Sequence, residues 1–86
     1  MVNKTMKASA VLQLARAAAR RKGHRVEHLP GRGKGSHVVY VVLDADDDVI
    51  GRFTLTNHSR DVSIGVLRAI EDGLAHLFGE KWMEKR

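Results

Sequence analysis

The period of the hydrophobic positions along this 86-residue chain changes twice, and the changes mark out five elements. Between Ser9 and Lys22, the residues Val11, Leu12, Leu14, Ala15, Ala18 and Ala19 recur at spacings of three and four, the period of an amphipathic helix. Ser9 predicts an N-terminal cap, and Gly23 predicts the C-terminal stop. Arg20, Arg21 and Lys22 suit the negative end of the helix dipole. From His24 to Leu29 the period falls to two, with Val26 and His28 on one side and Arg25, Glu27 and Leu29 on the other. This pattern predicts an edge strand. Pro30 to Gly35, with one proline and three glycines in six residues, predicts a loop.

His37 to Leu43 is the strongest strand signal. Val38, Tyr40 and Val42 alternate with Val39, Val41 and Leu43, so both faces are apolar. Such a pattern predicts a central strand covered on both sides. Asp44-Ala45-Asp46-Asp47-Asp48 reads as a hairpin turn. Val49 to Thr56 reads as the returning strand, with Phe53 and Leu55 inward and Arg52, Thr54 and Thr56 outward. After a polar loop from Asn57 to Val62, Ser63 predicts the cap of a second helix lined by Ile64, Leu67, Ile70, Leu74, Leu77 and Phe78. Gly65 and Gly73 weaken that helix by roughly 1 kcal/mol each relative to alanine, and Gly79 breaks or bends it. Glu80 to Arg86 form a charged amphipathic tail around Trp82 and Met83. These two pack on their own domain or a twin copy, or form a patch for another partner.

The element order is α-β-β-β-α. It predicts one α+β domain over residues 1–86, with a core over about 8–75 and an extension over 76–86. The expected architecture is a three-stranded antiparallel sheet with both helices on one face.

Composition narrows the class. Hydrophobic content is 43% and charged content 29%, ordinary for a globular fold. The absence of cysteine excludes a disulfide framework and a thiolate metal site, and fits a cytoplasmic setting. No apolar run approaches the roughly 18 residues of a membrane span, and the N-terminus lacks the apolar stretch of a signal peptide. The net charge is +5 and is unevenly distributed. Residues 16–34 hold seven cations (Arg16, Arg20, Arg21, Lys22, Arg25, Arg32 and Lys34) against one acid, Glu27. A single-sign block favours a polyanion, nucleic acid above all, or serves as a solvated basic face.

The candidate chemistry sits where the central strand begins. Arg32, Lys34, Gly35, Ser36 and His37 bring two cations, a glycine, a hydroxyl and an imidazole together just before the apolar run. Cations attract phosphate, glycine lets a backbone approach a ligand, and histidine transfers protons near neutral pH. The combination fits the handling of a phosphodiester. Ser36 either bonds a phosphate oxygen or caps the loop; Gly35 permits close approach or only a turn. Arg25, Lys22 and Arg21 extend a phosphate track or form a solvated helix end. His58 follows the third strand and either shares proton transfer with His37 or bonds loop backbone. His24, His28 and His76 show no partner spacing and read as surface residues. The aspartates from Asp44 to Asp48 invite a metal, but turn chemistry explains them, and no metal or cofactor is expected.

The helix ending at Gly23, the run Lys34-Gly35-Ser36-His37, His58 after the third strand, and Gly65-Val66-Leu67-Arg68-Ala69-Ile70 together resemble the HicA family of small mRNA interferase toxins. These are similar in fold to double-stranded-RNA-binding domains. The resemblance runs from about Ala8 to Leu74. The loop Leu29 to Gly33 is richer in glycine than the family pattern, and the chain continues past its usual end. The resemblance implies a ribosome-independent RNA endonuclease with His37 as catalytic residue, an mRNA substrate and a HicB-type protein antitoxin. A homodimer is left open. The rival expectations are a non-catalytic RNA-binding module, or a domain whose basic face meets an acidic protein.

Overall fold

The computed structural model describes residues 5–29, 37–56 and 61–83. Helix α1 spans Ala8–Arg21, strands β1, β2 and β3 span Arg25–His28, His37–Leu43 and Val49–Thr56, and helix α2 spans Ile64–Phe78. The order is the α-β-β-β-α read from the periodicity, and the fold is α+β. The strands pair antiparallel in the order β1-β2-β3, with β2 central.

Register follows from which side chains are buried. Val26 lies opposite Val42, and Tyr40 lies between His28 and Phe53 on the flanking strands. Val38 lies opposite Leu55. These residues face the helices. Tyr40 stacks on Phe53 at 5.4 Å between ring centroids, and His28 tilts against Tyr40 at 5.8 Å. From α1, Val11, Ala15, Ala18 and Ala19 enter the core; from α2, Leu67, Ile70, Leu74 and Phe78 do so. Near the acidic turn, Val42 pairs with Gly51 but Leu43 pairs with Val49, so Ile50 is an extra residue, a β-bulge. Glycine at position 51 answers a close approach: a Cβ there would lie 2.7 Å from Leu77 Cδ1.

Three expectations are corrected. Ser9 does not cap α1. The helix begins two residues earlier, with Lys7 at the N-cap and no side-chain cap bond. The cause is a tertiary bridge: Met6 pairs with Val62, whose amide donates to Met6 O at 2.8 Å, so the chain enters α1 from a pinned extended segment. The central strand is not covered by helices on both faces. Both helices pack on the face of Val38, Tyr40 and Val42, and no described element lies over Val39, Val41 and Leu43. Edge strand β1 is also shorter than the alternation suggests, ending at His28, although Leu29 N still donates to Val39 O at 2.9 Å.

The segment after α2 belongs to the core. Gly79 ends the helix with φ 93°. The chain then turns back so that Trp82 and Met83 are fully buried, Trp82 being the largest such side chain. Trp82 meets Phe78 edge-on at 5.1 Å. Its indole N–H donates to Glu71 O at 3.0 Å, and Met83 N donates to the buried Glu71 carboxylate at 3.1 Å. Self-packing is therefore the role of this pair.

The packing and the backbone geometry set three stability predictions. Trp82→Ala should lose about 3–5 kcal/mol, as large aromatic truncations in a core do; urea unfolding followed by far-UV circular dichroism measures it. Gly65→Ala and Gly73→Ala should each gain up to about 1 kcal/mol by the same assay, because a Cβ at either position meets nothing within 4 Å. Gly23→Ala should destabilise, because φ there is +76°.

Candidate functional site

His37 is exposed and begins β2 opposite Thr56, the last residue of β3. Side chains alternate along a strand. Because Val38 and Tyr40 face α1, where they border a hollow with Ala8, Ser9 and Leu12, His37 lies on the opposite sheet face. The same alternation puts Val39, Val41 and Leu43 on that face. The cross-strand register adds Thr54 opposite Val39, and Arg52 opposite Val41 on one side with Glu27 on the other. A shallow groove of about 420 Å³ runs here, lined by Leu29, Val39, Val41, Val49 and Arg52. Val49 is 55% exposed, one of the largest apolar exposures in the described chain.

The structure separates residues that the charge pattern groups together. Because β1 runs antiparallel to β2, Arg25 lies opposite Leu43, six residues along the strand from His37, or roughly 20 Å at the rise of a strand. Arg25 is also engaged: its guanidinium pairs with Asp47 at 2.5 Å and lies 4.0 Å from Glu27. Lys22 caps the C-terminus of α1 immediately before this strand. Neither residue lies beside His37: Arg25 is neutralised beside the acidic turn, and Lys22 ends the helix that leads into the same strand. Arg32, Lys34, Gly35, Ser36 and His58 lie outside the described residues.

The aspartate turn is explained by its own hydrogen bonds. Asp44 Oδ1 accepts from the amides of Asp46 at 2.9 Å and Asp48 at 3.0 Å, and Asp47 takes φ 65°. The carboxylates of Asp44, Asp46 and Asp48 approach within 4.8 Å of one another, a density that turn geometry imposes. Of the remaining histidines, His28 and His76 are exposed. His24 is half-buried, and its Nδ1 is buried without a hydrogen-bond partner among the described residues.

Arg52 and Glu71 escaped the sequence reading as notable residues. Arg52 appears in the sequence as one outward residue of a strand, and only the register puts it on the face of His37. Glu71 sits at the stripe position between Leu67 and Leu74, a charge on an apolar face, and that was a readable signal of a buried partner.

The two helix starts are clipped together. Asp61 accepts from the Thr5 hydroxyl at 2.8 Å and pairs with Lys7 Nζ at 3.2 Å, beside the Met6–Val62 bridge. The Thr5 hydrogen bond first, and then Lys7, hold the Asp61 carboxyl below its ordinary range. A depressed folded pKa adds stability above the unfolded value near 4 and loses it as pH falls through the folded pKa. Asp61→Asn should therefore melt slightly below the parent chain at about pH 6, and the gap should close toward about pH 2; thermal melts across that range check it.

No protein family, curated protein or solved structure matches this chain in comparisons of sequence and fold. No helix among the described residues is long and apolar enough to cross a membrane.

Proposed function

We propose that the chain is a ribosome-independent, metal-independent RNA endonuclease, the toxin of a toxin–antitoxin pair whose partner is a HicB-type protein. One observation carries the reading. His37, the residue that the HicA resemblance makes catalytic, is exposed at the start of the central strand, on the face that no described element covers. In the sequence it directly follows Lys34-Gly35-Ser36, residue types suited to a phosphate.

The chemistry needs no co-reactant. The ribose 2′-hydroxyl loses its proton and attacks the adjacent phosphorus; the P–O5′ bond breaks, and the departing 5′-oxygen takes up a proton. The products carry a 2′,3′-cyclic phosphate and a 5′-hydroxyl. His37 serves as the general acid–base for at least one of these transfers. Lys34 and Arg32 neutralise the phosphate as charge builds on it, with Ser36 in support. His58 is the second candidate proton carrier. Trp82 and Met83, being buried in the chain's own core, are left out of the partner surface.

The test is cleavage of a single-stranded RNA by the purified chain and by His37→Ala, with chelator present. The expected result is cyclic-phosphate products from the parent chain and a loss of about 10²–10⁴ in rate for the variant, with the fold retained by circular dichroism. RNA binding without cleavage by either protein would favour the non-catalytic RNA-binding module. Absence of both would favour the domain with an acidic protein partner.

A further inference from the structure

We infer that the open face of the sheet is the seat of single-stranded RNA, and that Arg52 is a phosphate-binding residue of that seat. The inference rests on the RNA endonuclease reading above and extends it to a surface that the charge pattern of the sequence does not mark.

Arg52 is set apart from the other cations by its surroundings. On the same sheet face, Arg25 is occupied by Asp47 and Glu27. Arg52 is exposed and makes no ion pair or hydrogen bond among the described residues. Glu27, the acid nearest to it in register, lies two strands away beyond Val41 and is drawn toward Arg25. Arg52 is thus the uncompensated cation of this face in the described structure. A guanidinium with all its donors free is suited to phosphate oxygens.

The placement connects Arg52 to the proposed chemistry. Val41, opposite Arg52, lies four residues from His37 along β2, or roughly 13 Å at the rise of a strand. Between them lie Val39 and Thr54, so the way from Arg52 to His37 is an apolar floor with a hydroxyl at its side. The groove lined by Leu29, Val39, Val41, Val49 and Arg52 lies on this face. A strand of RNA laid here would rest its apolar faces on the half-buried Val39 and the exposed Val49 and set a phosphate on Arg52. The expected contribution is binding: Arg52 is too far from His37 to touch the reacting phosphate.

The experiment uses the full chain and a fluorescein-labelled single-stranded RNA. Steady-state cleavage gives KM and kcat. Anisotropy titrations in the His37→Ala background give affinity without turnover, over a series of salt concentrations. Arg52→Gln should raise KM and weaken binding about tenfold, with kcat close to the parent value, since a contact made equally in ground and transition states changes KM alone. The salt dependence of log affinity should fall by about 0.7 for the lost phosphate contact. Arg52→Lys should restore the salt slope. Lys81→Gln, the same charge change on an exposed position after α2, should leave KM unchanged.

The inference is overturned if Arg52→Gln folds, binds and cleaves like the parent chain. Equal weakening by Arg52→Gln and Lys81→Gln also overturns it, because that would show net charge alone. If the parent chain cleaves RNA and Arg52→Gln affects only binding to a protein partner, the face belongs to that partner. If the parent chain neither binds nor cleaves RNA, the endonuclease reading itself fails, an outcome distinct from the other three.

Discussion

One-sided burial of the sheet is the constraint from which the rest of the structure follows. Val26, Val42, Phe53 and Leu55 form the floor on which α1 and α2 set their apolar stripes. A short chain has little apolar surface to bury, so its two helices go where they bury most together. Leu74 and Leu77 come so close to the sheet that a side chain at position 51 would have to displace their methyl ends. Trp82 then closes the core, its ring against Phe78 and its N–H on Glu71 O, so the indole is buried with its donor satisfied. With the helices committed to one face, His37, Arg52, the half-buried Val39 and the exposed Val49 are left on the other.

Antiparallel pairing divides the sheet into two chemically different ends. At one end β2 turns into β3 through the aspartates, and Arg25, which arrives with β1, pairs with Asp47 there and lies 4.0 Å from Glu27 of its own strand. At the other end both helices begin, held by the Met6–Val62 bridge and the Asp61 contacts, and β2 begins at His37. Acid and base therefore neutralise each other at the first end. This arrangement supports placing an anionic substrate at the second end and along the open face, toward Arg52.

Much of the fold was legible because its signals are local. The three-and-four spacing of α1 and α2, the alternation of β2 and β3, Ser63 as a cap and Gly23 and Gly79 as stops each depend on a few neighbouring residues, and each appears where expected. Where the reading failed, the deciding contact was distant in sequence. Ser9 lost the cap position to a segment pinned by Val62. The odd-numbered valines of β2 look like core in the sequence, yet apolar content alone cannot say which face the helices choose. For Trp82 the sequence left self-packing and a partner surface both open, and its contacts with Phe78 and Glu71 decide for self-packing. The candidate site was legible at His37, from its residue type, its position before a strong strand and the HicA resemblance, but only the strand register shows that Arg25 lies at the far end of β2, paired with Asp47.

By itself, then, the sequence determined the element order, the α+β class, the central place of β2 and the imidazole at its start, because periodicity, capping and turn chemistry are properties of short stretches. Tertiary structure alone decided which sheet face is left open, which cations are neutralised and that Arg52 shares a face with His37. Those outcomes depend on strand register and on ion pairs between residues far apart in the chain, and a one-residue slip in register would have sent Arg52 to the opposite face.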